Sequence, residues 1–134
     1  MNTAEIVKAT IRIAASPEEV FPYLVDPALI VAWIGTSADL NPQPGGVFAL
    51  DFPTTQARGT YISVEPPERV VFTWGIPGNA ALPPGASTVE IVLKADGDET
   101  IVELTHRDLP SELRPSHREG WEACLEALRK TFTS

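Results

Sequence analysis

Two histidines, one cysteine and a tyrosine hydroxyl are the side chains here best suited to act on another molecule. His106 closes an alternating run, Thr100-Ile101-Val102-Glu103-Leu104-Thr105-His106. His117 opens a helical pattern, Ser116-His117-Arg118-Glu119-Gly120-Trp121, that continues to Phe132. An imidazole titrates near neutral pH, so such a pair could move a proton or orient a polar group. A histidine on an apolar face is more often satisfied within a core or a cap than it is a ligand, and each reads that way too. Tyr61 needs a partner for its hydroxyl if it is buried. Cys124 falls between Trp121 and Leu125 on one helix face, where a buried thiol is inert.

Stronger chemistries lack their residues. A nucleophile needs an adjacent base and an orienting group, and no such set is evident, so no catalytic residue is assigned. A metal site needs three or four converging ligands. Two histidines without HxH or HxxxH spacing, and a single cysteine, do not supply them. Gly45-Gly46 is not followed by a helix, so no phosphate-binding loop is expected. No cofactor is expected.

The elements that must position these residues follow from periodicity. Ile6 to Ala14 reads as a strand with Ile11 and Ile13 on one face and Arg12 opposite. Ser16-Pro17-Glu18-Glu19 is a helix start, with a cap, a proline at the first helical position and a capping box. Val20, Phe21 and Leu24 give its apolar face, and Pro22 shortens or kinks it. Asp26-Pro27 starts a second short helix through Trp33, ended by Gly35. From Thr36 the period becomes two. Strands are expected over 46–52, 58–64, 68–74, 88–94 and 100–106, with a hairpin turn at Asp96-Gly97-Asp98. The segment from Gly75 to Ser87 is longer than a hairpin needs, and such loops are often mobile or functional.

The last helix places His117, Gly120, Trp121, Cys124, Leu125, Leu128 and Phe132 at spacings of three and four. Glu126 is expected to pair with Lys130 on the opposite face. Its start is expected at Ser116, with Glu119 completing a capping box, because Pro115 disfavours helical geometry at Arg114. A turn of helix from Ser111 and a kink should precede it. Helices segregated from a run of short-connected strands predict an α+β domain. An antiparallel sheet, apolar on one face, should curve around the long helix.

This order resembles the helix-grip fold of the START-like, or SRPBCC, superfamily, and within it the family of homologues of the activator of the heat-shock-protein-90 ATPase. The likeness covers nearly the whole chain, which is accordingly expected to form a single domain over residues 1–134. It runs through Ser16-Pro17-Glu18-Glu19-Val20-Phe21, Asp26-Pro27 to Trp33, and Pro44-Gly45-Gly46 with Phe48. It continues through Gly59-Thr60-Tyr61, Glu65-Pro66-Pro67-Glu68-Arg69-Val70-Val71-Phe72-Thr73-Trp74, Leu104-Thr105-His106 and His117-Arg118-Glu119-Gly120-Trp121 with Leu125. Trp33-Ile34 departs from the two aromatics many members carry, and Pro22 and Pro115 interrupt helices that usually run on.

The resemblance implies a curved antiparallel sheet of six to seven strands, a long C-terminal helix, two short helices after the first strand, and a cavity between helix and sheet. An empty apolar cavity of ~300 Å³ would cost ~7 kcal/mol at ~24 cal/mol per Å³, comparable to a small domain's whole stability. It must therefore be filled by a ligand or by water, or collapse on its own side chains. The expected lining is Trp33, Phe48, Tyr61, Phe72, Trp74, His106, His117 and Trp121. Phe48, Phe72, Trp74 and Trp121 read as plain core too. The leading expectation is a carrier or sensor of a small hydrophobic molecule, lipid or polyketide, without catalysis. Related cyclases suggest an enzyme using His106 or His117, with Asp51 and Glu65 as other proton carriers. The family name suggests a partner of a chaperone ATPase. The family's chaperone activators carry an additional domain for which this chain has no room. Related small domains pair as homodimers, and the sequence shows no pairing face.

Composition bounds the partners. The net charge is −8 without a basic stripe, which disfavours nucleic acid and anionic membranes. No apolar run is long enough to span a bilayer. Met1-Asn2-Thr3-Ala4-Glu5 lacks a basic start and an apolar run, so no secretory signal is expected. One cysteine allows no internal disulfide, which fits a cytoplasmic location.

Overall fold

A computed structural model describes residues 6–133; the segment Met1–Glu5, on which the absence of a secretory signal was argued, lies outside the described residues. The expected sheet forms around apolar faces of period two. β1 (Ile6–Ile13), β2 (Ser37–Leu40), β3 (Val47–Asp51), β4 (Gln56–Glu65), β5 (Arg69–Trp74), β6 (Ser87–Asp96) and β7 (Glu99–Arg107) make one sheet in the order β1-β7-β6-β5-β4-β3-β2. Every neighbouring pair is antiparallel. β1 is the one strand displaced from chain order, pairing Val7 with His106 and Ile13 with Thr100 at the sheet's far edge. Val89, Ile91 and Leu93 of β6 and Val102, Leu104 and His106 of β7 all point to the buried face, as their alternation predicts. A register shift between Tyr61 and Ser63 on β4 bends the sheet there.

β2 escaped the sequence reading. It has four residues, of which only Ala38 and Leu40 are half-buried, so its alternation is too short to register. The break expected at Pro22 is present, and two other helical expectations need correction. Pro22 has no N–H to donate to Glu18, so the first expected helix is two single turns, α1 (Pro17–Val20) and α2 (Pro22–Val25). The Ser16–Glu19 capping box is present on α1. α3 (Pro27–Ile30), capped by Asp26, ends before Trp33, and tighter turns carry the chain on to Gly35 at φ 77°.

α4 spans Arg114–Thr131 and follows directly on a 3-10 turn, Ser111–Leu113. The helix starts before Pro115, not at Ser116. Pro115 sits in its first turn, where the missing N–H has no intrahelical acceptor to lose. Ser116 therefore hydrogen-bonds to the Leu113 carbonyl rather than capping. Glu126 pairs with Arg129 instead of Lys130, because the guanidinium reaches both carboxylate oxygens at i+3.

α4 lies across the buried face of the sheet and packs against β1, burying Trp121, Leu125 and Leu128. The buried apolar residues form one continuous core. The long connection between β5 and β6 folds back on itself: the Ile76 N–H donates to the Leu82 carbonyl at 2.7 Å, and the Leu82 side chain is fully buried. Gly75 permits this, since a Cβ there would lie 1.9 Å from the Pro83 carbonyl oxygen.

Candidate functional site

The two histidines meet. β7 ends with His106 on the buried face, and the first turns of α4 carry His117 over it, with ring centroids 5.4 Å apart. Their environments differ. The Trp121 indole N–H can only donate, and it donates to His106 Nδ1 at 2.9 Å. The His106 proton is therefore on Nε2, which donates to Ser87 Oγ at 2.8 Å. Ser87 in turn donates to the Trp74 carbonyl at 2.7 Å. Each of these polar atoms is satisfied, and His106 has no nitrogen left for a guest or a proton relay. Burial, helped by His117, pushes its pKa down to about 3. His106 is a neutral strut at working pH.

His117 donates from Nδ1 to the Leu113 carbonyl at 3.0 Å, which places its Nε2 lone pair elsewhere. Burial lowers its pKa, and the bond to the carbonyl partly opposes this. His117 lines an apolar cavity of ≈ 200 Å³ between α4 and the sheet. The floor is Ile34, Trp74 and Trp121, all buried. The rim is Thr55, Ser116 and Gly120, all exposed. Phe52 and Cys124, half-buried, complete the wall. The Trp74 and Trp121 rings stand 5.1 Å apart and tilted, and Phe52 meets Trp74 edge-on. Trp74 Nε1 is buried and has no hydrogen-bond partner among the described residues.

Of the eight residues expected to line a cavity, Trp74, His117 and Trp121 do so. The others lie in closed core. Phe48 stacks on Phe72 with centroids 3.8 Å apart, and Tyr61 meets Phe48 edge-on. The Tyr61 hydroxyl donates to the Leu24 carbonyl at 3.2 Å, tying β4 to α2, and burial raises its pKa. Trp33 donates from its indole N–H to the Tyr23 carbonyl at 2.9 Å. These rings fill the grip at the β3–β5 end, and the apolar cavity lies beside His117. The wall residues that sequence reasoning did not select are Ile34, Phe52, Thr55, Ser116, Gly120 and Cys124. Gly120 and Cys124 did stand on the apolar face of the helical pattern, and Phe52 on the face of Phe48 and Leu50.

The cavity is lined by apolar and uncharged side chains apart from His117. Burial raises the Cys124 thiol to about 11, so it carries no thiolate at neutral pH. Asp51 and Glu65 do not line the cavity. Arg58, with Ser37, holds the Asp51 pKa down; Ser63 and Arg69 do the same for Glu65. Among the described residues, no three His, Cys, Asp or Glu side chains converge as a metal site. Among the described residues, no helix is long and apolar enough to cross a membrane.

Comparisons with known proteins agree with this architecture. CalU16 from Micromonospora echinospora is 29% identical, superposes with a TM-score of 0.78, and is matched over 96% of this chain and 76% of its own. DynU16, encoded in the dynemicin biosynthetic locus, is 19% identical with a TM-score of 0.82 over 94% of this chain; the match spans only 46% of DynU16. The Aha1 dimer from Colwellia psychrerythraea is 16% identical, with a TM-score of 0.84 over 95% of each chain. No curated protein sequence matches. Residues 14–133 match the family described as Activator of Hsp90 ATPase homolog 1-like protein, and the chain belongs to that family.

Proposed function

We propose that this domain binds a small hydrophobic molecule between the sheet and α4, as a carrier or sensor without catalysis. The observation that carries the reading is the apolar cavity of ≈ 200 Å³ floored by Ile34, Trp74 and Trp121. Apolar surface held open to water gains by taking up an apolar guest. Two polar groups beside it are inert, which agrees with this reading: His106 is fully hydrogen-bonded and the Cys124 thiol is protonated. The proposal sets the domain in the cytoplasm, consistent with its one free cysteine.

Thermal unfolding against a panel of single-ring aromatics, bicyclic aromatics, fatty acids and sterols tests it. A guest at a hundred times its dissociation constant adds about 2.7 kcal/mol, which raises the melting temperature of a domain this size by roughly 10 °C. Gly120→Phe, which places a ring at the rim, should abolish that shift. Unchanged melting with every class would reject the reading.

A further inference from the structure

We infer that the guest is amphipathic, with a single aromatic ring in the cavity and a neutral polar arm that leaves over Phe52 and Thr55. This rests on the ligand-binding reading above and narrows it to a chemical class.

Size sets the first half. Benzene fills an engineered apolar cavity of about 150 Å³, or about 25 Å³ per non-hydrogen atom. The ≈ 200 Å³ here then holds roughly eight such atoms. That is one substituted ring, and it falls short of the ~300 Å³ at which pockets for larger ligands begin. A sterol's fused rings exceed that volume, and most of a long acyl chain would have to lie outside it. The walls favour an aromatic: Trp74 and Trp121 are tilted to one another, and Phe52 and His117 each meet Trp74 edge-on. A ring in this box finds both edges and faces to pack against.

The second half comes from what adjoins the opening. Phe52 and Thr55 also border a surface trough whose other walls are Pro53, Thr54, Gln56 and Pro77. An arm longer than the cavity emerges there among hydroxyls and a carboxamide. None of these is charged. The nearest cation in sequence, Arg58, is already engaged by Asp51 and by the Leu50 and Ala57 carbonyls. A carboxylate could accept from the same hydroxyls and carboxamide, but with a net charge of −8 on the chain it would also meet an unfavourable field. A neutral arm makes those hydrogen bonds without that repulsion.

Gly120 leaves the rim bare. It is exposed there, and a Cβ on it would meet nothing within 4 Å. A glycine inside a helix is costly relative to alanine, and here it keeps the rim beside Trp121 and Cys124 free of a side chain.

Three probes separate the parts: ethylbenzene, 3-phenylpropanamide and 3-phenylpropanoate, with affinities from titrations followed by two-dimensional NMR. The amide is expected to bind severalfold more tightly than the carboxylate, which meets the field of a net-negative chain. The double variant Thr54→Ala, Gln56→Ala, confined to exposed side chains, should weaken the amide severalfold and leave ethylbenzene unchanged. Equal affinity for amide and carboxylate, or an amide affinity indifferent to the double variant, overturns the arm. Binding of a sterol or fatty acid from the earlier panel, with none of these three bound, overturns the ring class while the ligand-binding reading stands. Failure of the panel and of all three probes removes both.

Discussion

Acidification should destabilise this domain through His106 before its carboxylates respond. The folded protein holds His106 neutral, with its pKa pushed from the ordinary 6.5 to about 3. The unfolded chain takes up that proton as the pH falls through 6.5. Between the two values the unfolded state binds more protons, so stability falls with falling pH. At pH 5 the unfolded chain has gained about 1.5 pH units of proton affinity that the folded chain has not, a loss of about 2 kcal/mol relative to pH 8. The full penalty, reached near pH 3, is about 5 kcal/mol. His117, also lowered by burial, adds a contribution of the same sign. Glu19, Asp51, Glu65, Glu90 and Glu126 are lowered from ordinary values at or below 4.5, so their losses come mainly below pH 5. Loss of net negative charge on acidification acts in the opposite direction. Urea unfolding followed by tryptophan fluorescence at pH 8, 7, 6 and 5 measures the total. The comparison that isolates His106 is His106→Gln, which cannot titrate. Its stability should be lower at pH 8 but should fall about 2 kcal/mol less between pH 8 and 5. Parallel curves for the two proteins would refute the assignment of a neutral, buried His106.

Other outcomes follow from the same contacts. Trp121→Phe removes the donor to His106 Nδ1 and leaves a buried acceptor unpaired, so it should cost at least ~1–3 kcal/mol beyond lost packing. Trp74→Phe deletes an indole N–H that has no partner, so its urea midpoint should drop less than that of Trp121→Phe. Gly120→Ala meets no atom and improves helix propensity, so it should raise stability by up to ~1 kcal/mol. Leu125→Ala, at a fully buried contact of α4, should cost ~2–5 kcal/mol by the same assay.

The fold was legible because its long elements have clean periods. β6 and β7 alternate over nearly their full length, and α4 carries its apolar face at steps of three and four. What the sequence concealed lies where period fails. β2 is too short to alternate visibly, and Pro115 stops a helix in one context and starts it in another. The candidate site was half legible. Trp74, His117 and Trp121 were found because they face inward on strand and helix alike. Phe48, Phe72, Tyr61 and Trp33 face inward equally, and periodicity cannot tell a ring that lines a space from a ring that fills it. That distinction depends on how rings from β3, β4 and β5 stack on each other, a contact between elements distant along the chain. The partnership of His106 with Ser87 was concealed for the same reason: it joins neighbouring strands 19 residues apart.

The hydrogen-bonded chain from Trp121 through His106 and Ser87 to the Trp74 carbonyl has a consequence for how α4 is seated. Apolar contacts such as Leu125 and Leu128 against the sheet are tolerant: a helix sliding by one turn brings another leucine-sized side chain over the same floor. A donor–acceptor pair tolerates no such slip, because one turn moves the indole N–H about 5.4 Å and strands His106 Nδ1 in a dry interior. The polar chain thus acts as a locating pin. It fixes one axial position and one rotation of the helix against β5, β6 and β7, and with them the placing of Gly120 and His117 at the cavity's mouth.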